Sequence, residues 1–505
     1  MNGDTMPTPG DMNVAGRETH TARVVMVGDV VYKAKKPIRT DFLDFSTVEK
    51  RRQACEREVE LNRRFSSDVY LGVAELTDPG GGPPEPLVKM KRMPDDRRLA
   101  TLITRGEEPA EVLDEIARLL ARFHAHARRG PDVDEDGTRD AVAARWRANV
   151  AEVSDFDCET PSTEEITEIG RRGQQYLAGR KRLFATRIAD GRVVDGHADL
   201  LADDIFCLPD GPRILDCLDF DDHLRHVDGV DDAACLAMDL EYLGRADLAA
   251  AFLRRYCAEA GDDPPRSLIH HYVAYRAFVR AKVSCLRYTQ GSPSALPDAR
   301  NHSRLALDHL RAGTVRLALI GGLPGSGKST LSRAVAERCD AVLLSSDHVR
   351  KELAGVPPDL SQAAEFEQGL YSGPMTGRTY AELLHRARDL LATGRSVIVD
   401  ASWGYPRLRE RAAQVASCAH SDLVEIECTV PRDVAINRIR TRPHGESDAT
   451  ADVYDAMAAR GTTWPSATQV DTTADIAESS RAVESRWEAT DGWRNYECVT
   501  VQQDG

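Results

Sequence analysis

The residues best suited to hold a polyphosphate form the run from Gly322 to Thr330, which reads Gly-Leu-Pro-Gly-Ser-Gly-Lys-Ser-Thr. Glycines in such a run let backbone N–H groups close around phosphate oxygens at a helix N-terminus. Lys328 would reach the β- and γ-phosphates of ATP, and the Ser329 hydroxyl would bind Mg²⁺. The alternative is a glycine-rich turn without a ligand. The predicted nucleotide-binding residues are Gly322, Pro324, Gly325, Ser326, Gly327, Lys328, Ser329 and Thr330.

A carboxylate and an arginine follow the next predicted strand, in the run Ser345-Ser-Asp-His-Val-Arg350. Asp347 is placed to take a proton from a hydroxyl acceptor, and Arg350 to bind an anionic part of that acceptor. The same pattern of Ser and Asp before a helical run is also typical of a helix cap. The two interpretations are compatible, and we predict Asp347 as a catalytic base.

Two further groups have the chemistry of phosphoryl transfer. Asp400 ends an apolar strand, where an aspartate near a phosphate loop usually faces Mg²⁺; the alternative is that Asp400 only caps the next turn. Arg438 and Arg442 are four residues apart and share a helix face. They would stabilise charge on the transferred phosphoryl group, or else belong to a solvated basic face.

The elements around these residues alternate between strand and helix. Apolar runs predict strands at 317–320, 341–345, 396–400, 423–430 and 467–471, with helical spacing between them. This alternation indicates an α/β P-loop NTPase fold with a parallel sheet, whose strand carboxyl ends gather the residues named above. The polar stretch after Asp471 is expected to end loosely.

Residues 313–475 resemble the P-loop kinases of the polynucleotide kinase, zeta toxin and gluconate kinase group. The resemblance lies in the phosphate loop, in 345–353, in Ser396-Val-Ile-Val-Asp-Ala-Ser402 and in Arg438-Ile-Arg-Thr-Arg442. It implies a catalytic role for Lys328, for Asp347 as the base, and for Arg438 and Arg442 as lid arginines. The acceptor is left open, because such relatives phosphorylate polynucleotide ends, nucleotide sugars and small polyols.

A second group of residues lies upstream, in Asp195-Gly-His-Ala-Asp-Leu200, Ile205-Phe-Cys-Leu208 and Ile214-Leu-Asp216. These runs resemble the catalytic and metal loops of aminoglycoside phosphotransferase-like kinases, which have an α+β protein-kinase-like fold. The resemblance implies that Asp199 is a catalytic base and that Asp216 binds Mg²⁺, with Asp219 the less favoured candidate. Asp204 occupies the position of the usual Asn and would also bind the metal, adding negative charge near the triphosphate. His197 is expected to brace the loop.

The same resemblance, over residues 20–300, assigns an early lysine to the nucleotide phosphates. We predict Lys33, with Lys35 and Lys36 as competitors. Glu58 is the favoured ion-pair partner among Glu56, Glu58 and Glu60. No glycine-rich loop has the usual spacing, and the alternative is a kinase fold without activity.

The chain is thus predicted to be multidomain and to resemble bacterial bifunctional proteins with both kinase types. The boundaries are a disordered tail at 1–19, a phosphotransferase-like domain at 20–309, a P-loop kinase domain at 313–490 and a loose tail at 491–505. Within the first domain we predict a hairpin at 24–33, an acidic loop at 132–137 and one helix spanning 164–189.

Composition restricts the partners. The 505-residue chain has a net charge of −15, which disfavours general affinity for nucleic acid or anionic membrane. No apolar run approaches the length of a membrane span. The 11 cysteines form no C-x-x-C pair or zinc pattern, as expected of reduced thiols in a cytoplasmic protein.

These features predict an ATP- and Mg²⁺-dependent phosphotransferase acting on small hydroxylated acceptors. One alternative is a nucleotide-binding regulatory module with an inactive N-terminal kinase fold. Another is a 5′-hydroxyl nucleic acid kinase acting through the C-terminal domain. The expected partners are a nucleotide and a small molecule, and the oligomeric state is left open.

Overall fold

A computed structural model describes residues 14–18, 22–39, 44–77, 80–357, 372–441, 450–461 and 463–489. The chain forms an N-terminal region that ends at residue 312 and a C-terminal region that begins at residue 316. Within the described ranges, no helix is long and apolar enough to cross a membrane. Nine cysteines of the described ranges have free thiols.

The N-terminal region starts with a five-stranded antiparallel sheet and one helix. The strand order is β1-β2-β3-β5-β4. A turn at Gly28, whose φ of 59° suits glycine, joins β2 to β3 as the sequence predicts. The Thr47 side chain caps α1 by accepting a hydrogen bond from the Lys50 amide. The elements are β1 (Val14–Glu18), β2 (Ala22–Val27), β3 (Val30–Lys35), α1 (Val48–Arg63), β4 (Tyr70–Leu76) and β5 (Glu85–Lys91).

A mainly helical lobe follows, with two short antiparallel pairs, of which β7 and β8 form a hairpin and β6 pairs with the distant β9. Its core is one apolar cluster around Trp146, Leu236 and Phe278. The elements are α2 (Leu99–Thr104), α3 (Ala110–His126), α4 (Pro131–Asp136), α5 (Arg139–Asp155), α6 (Thr163–Ala178), α7 (Lys181–Ala189), β6 (Val193–Asp195), β7 (Ile205–Leu208), β8 (Gly211–Ile214), α8 (Asp222–Arg225), β9 (His226–Asp228), α9 (Gly229–Tyr242), α10 (Ala246–Ala260), α11 (Arg266–Thr289) and α12 (Leu296–Ala312). A small sheet over a helical lobe is the predicted protein-kinase-like architecture.

Three sequence predictions for this region are wrong. Strand β1 lies inside the segment predicted as a disordered tail, and it pairs with β2 through Val14 to Glu18. The predicted acidic loop is α4, which Pro131 opens at a position where no N–H is needed. The predicted helix at 164–189 is two helices, because the chain breaks at Gly179, where a Cβ would collide with the Ala419 carbonyl.

The C-terminal region is a parallel five-stranded sheet with the order β11-β12-β10-β13-β14, covered by helices, as predicted. The stretch after Asp471, predicted to end loosely, contains α19, which buries Val483 and Trp487. The elements are β10 (Arg316–Gly321), α13 (Lys328–Arg338), β11 (Val342–Ser345), α14 (Ser346–Leu353), α15 (Gly373–Ala392), β12 (Val397–Asp400), α16 (Pro406–Cys418), β13 (Asp422–Thr429), α17 (Arg432–Thr441), α18 (Ala451–Arg460), β14 (Thr468–Asp471) and α19 (Ile476–Glu488).

The two regions share buried surface. The guanidinium of Arg180, fully buried, donates from Nη1 to the carbonyl oxygen of Ala419 at 2.8 Å. The Ser267 hydroxyl donates to the carbonyl oxygen of Gly394 at 2.6 Å. Because buried polar groups of one region find their hydrogen-bond partners in the other, the two regions pack against each other rather than being joined only by a linker.

Candidate active sites

The phosphate loop joins β10 to α13 with three glycines in conformations that side chains rarely adopt. Gly322, Gly325 and Gly327 have φ values of 142°, 74° and 80°. A Cβ on Gly322 would lie 2.6 Å from the Cys428 carbonyl oxygen, so even a methyl group is excluded. Because α13 begins at Lys328, the loop amides converge at a helix N-terminus, where an anion is favoured.

Asp400 lies beside this loop at the end of β12, in register with Ile320 of β10. Burial raises the pKa of the Asp400 carboxyl, while Lys328 and a hydrogen bond from the Ser329 hydroxyl counteract part of that rise. Its Oδ1 has no hydrogen-bond partner among the described residues. A buried carboxylate oxygen without a partner, next to a loop hydroxyl, fits the oxygen ligands that Mg²⁺ prefers.

Asp347 reaches the same edge of the sheet. Strand β11 ends at Ser345, which is in register with Asp400, and Asp347 lies in the first turn of α14. Asp347 is close enough for its charge to contribute to the raised pKa of Asp400. The helix cap is Ser345, and its side chain makes no capping hydrogen bond. Helix capping therefore does not by itself explain why Ser345 and Asp347 occur at the start of α14.

Arg350 is buried on the next turn of α14, and its Nη1 donates to the Thr376 hydroxyl of α15 at 3.2 Å. The Arg350 guanidinium therefore lies one helical turn from Asp347, on the same face of α14, because residues three apart share a helix face. The position is suitable for an anionic group of an acceptor.

Arg438 lies against the phosphate loop and does not belong to a solvated basic face. Its Nη2 donates to the Thr472 carbonyl oxygen at 2.7 Å and its Nη1 to the Thr472 hydroxyl at 3.2 Å. That hydroxyl donates in turn to the Ser326 carbonyl oxygen at 2.6 Å. Thr472 thus links the arginine to the loop, and no sequence signal marked it. Arg442 lies outside the described residues.

The N-terminal site is built around Lys33 of β3. Its Nζ lies 2.9 Å from Glu58 Oε1 and 3.0 Å from Asp216 Oδ1. Lys35 contacts the other oxygen of Glu58 and Asp219 Oδ2, both at 2.7 Å. Burial by itself would raise the pKa of Glu58, but the two lysines lower it to about 2. The carboxylate is therefore charged and holds both lysines at the sheet.

The loop that carries Asp199 is fixed by a residue that sequence reasoning missed. Asp232 of α9 is fully buried, and it accepts hydrogen bonds from the amides of His197 at 2.7 Å and Ala198 at 2.8 Å. Its Oδ2 also lies 3.0 Å from His124 Nε2. The available signal was the pair Asp231 and Asp232 directly before the apolar run of α9, since charges buried with such a run need partners.

His197 itself is buried, and its Nε2 contacts the Leu215 carbonyl oxygen at 3.1 Å. This position, between the two loops of the site, agrees with a bracing role. The neighbouring Ala198 has a φ of 69°, a conformation that glycine adopts more easily. The loop therefore holds some strain at the position where the resembling kinases have glycine.

Three carboxylates converge in this site. Asp199 is 41% exposed at its side chain, and its Oδ1 lies 3.8 Å from Arg280 Nη1. Burial raises the pKa of Asp204 well above its usual range, and the charges of Asp216 and Asp199 raise it further. Such a cluster fits a divalent cation, because the cation would offset the repulsion among the carboxylates.

Comparison with known proteins agrees with this layout. The family model described as AAA domain matches residues 317–463. The uncharacterized protein Rv2004c of Mycobacterium tuberculosis is 48% identical over 469 residues, which are 93% of this chain and 94% of that protein. The uncharacterized protein Mb2027c of Mycobacterium bovis gives the same values. The chain belongs to the family of these mycobacterial proteins. Its members therefore share both regions described above.

Solved structures match each region separately. A gluconokinase from Sinorhizobium meliloti is 18% identical, covers 34% of this chain and 91% of its own, and has a TM-score of 0.26. A choline/ethanolamine kinase family protein from Mesorhizobium loti is 12% identical, with coverage of 60% and 94% and a TM-score of 0.38. APH(2")-IIia, solved with GDP and kanamycin, is 15% identical, with coverage of 61% and 94% and a TM-score of 0.40. The AAA domain match and the phosphate-loop geometry support a nucleotide-binding loop in the C-terminal region.

Proposed function

We propose that the protein is an ATP- and Mg²⁺-dependent phosphotransferase that acts on small hydroxylated acceptors, such as a sugar or an amino sugar. The observation that carries this proposal is the meeting of Asp347 and Asp400 beside the phosphate loop that opens α13. In this proposal, one edge of the sheet provides a polyphosphate cradle, oxygen ligands for a cation and a carboxylate base. The combination is what phosphoryl transfer requires.

In the C-terminal site, the loop amides and Lys328 hold the phosphates, and Asp347 accepts the proton of the acceptor hydroxyl. Arg350 binds an anionic group of the acceptor, and Arg438 stabilises charge on the transferred group. Ser329 and Asp400 would hold Mg²⁺, which neutralises phosphate charge when bound. The acceptor enters on the side of α14, where Asp347 and Arg350 lie.

The N-terminal site is proposed as a second phosphotransfer site. The ion pair of Lys33 with Glu58 supports this, because it holds the lysine where nucleotide phosphates would lie. Asp199 would orient the acceptor hydroxyl, and Asp204 and Asp216 would hold Mg²⁺. We accordingly propose two catalytic units: the first, predicted at 20–309, also includes β1, and the second spans 313–490.

The test is a screen of ADP release by the full chain with sugars, amino sugars, nucleosides and a 5′-hydroxyl oligonucleotide as acceptors. The wild type is compared with Lys328→Ala, Asp347→Ala and Asp199→Ala. Each site predicts its own acceptor, whose use disappears in the variants of that site alone. If Asp199→Ala alters nothing while Lys328→Ala removes all turnover, the N-terminal site is not catalytic.

One observation favours a second candidate function, a nucleotide-binding regulatory module. Asp204 adds a third carboxylate to the N-terminal site, next to the position of the triphosphate. In this case ATP binds at that site without turnover, and its binding alters activity at the C-terminal site. ATP binding to the Lys328→Ala variant, with no ADP release for any acceptor, would support it.

A further inference from the structure

A third group of reactive side chains lies outside both proposed active sites. Asp136 ends α4, His223 lies in α8 and His226 begins β9. Asp136 Oδ2 lies 2.9 Å from His223 Nδ1 and 2.6 Å from His226 Nδ1. One ligand atom from each residue can be chosen so that all three lie within 4.8 Å of one another. Two imidazoles and a carboxylate from separate parts of the chain thus converge on one point.

The cluster is closed on one side and open on the other. The side chains of His226 and Asp136 are 3% and 18% exposed, whereas that of His223 is 76% exposed. His226 and Asp136 thus form the enclosed part of the cluster, and the exposed imidazole of His223 leaves an entry path for a cation. We propose that Asp136, His223 and His226 bind one Zn²⁺ ion, with solvent water completing a tetrahedral set.

The donor set favours zinc over magnesium. Imidazole nitrogen suits late first-row divalent cations, whereas Mg²⁺ prefers oxygen ligands and keeps its waters. At Zn–N and Zn–O distances of about 2.0–2.1 Å, tetrahedral donors lie about 3.3 Å apart. The nitrogen–oxygen separations here are 2.6 and 2.9 Å, so Asp136 Oδ2 needs to withdraw by less than about 1 Å.

Arg128 opposes metal loading in the present arrangement. Its Nη2 lies 3.1 Å from His226 Nε2, to which it donates while His226 carries its proton on Nδ1. A cation on Nδ1 leaves the proton on Nε2, and two donors then face each other. Arg128 is about half exposed and also makes hydrogen bonds of 2.8 Å to Asp132. Its exposure allows Arg128 to move away from His226 Nε2. The hydrogen bonds to Asp132 oppose this movement, which would lower the affinity for the metal.

The site would tie α4 to the segment that leaves the N-terminal active site. Asp219 of that segment binds Lys35, and Arg225 is fully buried with its Nε 2.8 Å from Asp195 Oδ1. His226 follows Arg225 directly. A cation bound at His226 would thus restrain the chain between Asp219 and β9. Because Asp219 contacts Lys35 beside Lys33, we expect nucleotide to bind more tightly at Lys33 when the cation is bound. This consequence rests on the proposed function, whereas the metal site does not.

The experiment uses the full chain, stripped with a chelator and dialysed into excess Mg²⁺ so that carboxylate sites are filled. Co²⁺ is titrated as the spectroscopic probe, and Zn²⁺ is then added in competition. The wild type should bind one equivalent with the visible absorption of tetrahedral Co²⁺. His223→Ala, whose exposed side chain can be removed without disturbing the core, should weaken binding at least about 10-fold, as should Asp136→Asn.

The matched control is His385→Ala, another exposed histidine next to an aspartate, Asp389, but without a second imidazole. It should leave the titration unchanged. Arg128→Ala should tighten binding several-fold, because it removes the opposing donor. Absence of the tetrahedral spectrum in the wild type, or the same spectrum in His223→Ala and Asp136→Asn, would overturn the proposed site. Unchanged or weaker binding by Arg128→Ala would overturn the role given to Arg128.

Discussion

The two candidate active sites are built in opposite ways. The C-terminal phosphate site is mostly backbone, formed by consecutive residues from Gly322 to Lys328 at the start of one helix. The N-terminal site is mostly side chains, with Lys33, Glu58 and Asp216 brought together from three distant parts of the chain. The first kind of site is formed once a local turn is made. The second depends on the packing of the sheet, α1 and the helical lobe.

The sites also differ in charge. Around Asp400 the neighbouring cations are Lys328 and Arg333, and Arg438 contacts the loop through Thr472. The N-terminal site contains three carboxylates, Asp199, Asp204 and Asp216, and two lysines. The positive charges of these lysines are partly neutralised by ion pairs with Glu58 and Asp219. The N-terminal site should therefore depend more than the C-terminal site on a bound cation to offset the repulsion among its carboxylates. The following changes would break or sharpen this contrast.

The largest effect is expected from Lys328→Ala. Losing a charged group on the transferred phosphoryl typically costs about 10³–10⁵-fold in kcat, and we expect this loss for the acceptor of the C-terminal site. Turnover at the N-terminal site should be unchanged, and Lys33→Ala should give the reverse result. ADP release with each acceptor measures both. Loss of both activities in one variant would show that the sites are not independent.

The next largest effect concerns the bases. Asp347→Asn keeps the size of the side chain but cannot accept the hydroxyl proton, so kcat should fall about 10²–10⁴-fold with little change in ATP affinity. Asp199→Asn should do the same at the other site. Steady-state kinetics separates kcat from KM. A raised KM with normal kcat would assign either residue to binding rather than proton transfer.

Asp232→Ala should affect stability as well as the N-terminal site. It leaves the amides of His197 and Ala198 and the ring of His124 without their buried partner. Removing one partner of such a network typically costs about 3–5 kcal/mol. Thermal unfolding measures the loss, with Asp247→Ala, an exposed aspartate on α10, as the control. A Tm equal to that of the control would contradict the anchoring role.

Sequence reasoning found the C-terminal site in more detail than the N-terminal one. The parallel direction of its strands followed from the alternation of apolar and helical runs, and the loop residues followed from their spacing, whereas the strand order was not predicted. The buried face of α1 separates Glu58 from Glu56 and Glu60. The pleat of β3 does not separate Lys33 from Lys35, because both lie on one face and both contact Glu58. Thr472 and Asp232 were missed because each acts through contacts with residues far away in sequence.

The errors in secondary structure have a similar origin. The acidic run at 132–137 looked like a loop from composition, but Pro131 and packing of Val133 make it a helix. The break at Gly179 is set by close approach to Ala419, 240 residues later in the chain. Pro131 was a local signal for a helix start that the acidic composition outweighed, whereas the packing of Val133 and the approach of Ala419 leave no local pattern in the sequence. Local propensity therefore loses to tertiary contacts at these positions.

The smallest effect is expected from Asp204→Asn. The pKa of Asp204 is raised in the folded protein, so the folded state binds an extra proton and loses stability as pH rises through that pKa. Below a pH of about 4, the pKa of an aspartate in the unfolded chain, Asp204 is protonated in both the folded and the unfolded state, so it no longer lowers the free energy of unfolding. The variant should therefore have a higher Tm than the wild type at neutral pH, with the difference vanishing below about pH 4.

The matched control for that change is Asp203→Asn, the exposed neighbour of Asp204. It should show no pH-dependent gain in Tm. A gain of the same size in both variants would mean that general charge reduction, rather than burial of Asp204, is responsible.

The central claim is that the chain holds two separate nucleotide sites. Calorimetric titration with a non-hydrolysable ATP analogue and Mg²⁺ tests it directly in the wild type, Lys328→Ala and Lys33→Ala. We predict two analogue molecules per wild-type chain and one per chain for each variant. A single molecule bound by the wild type, or binding that neither lysine variant weakens, would contradict the account.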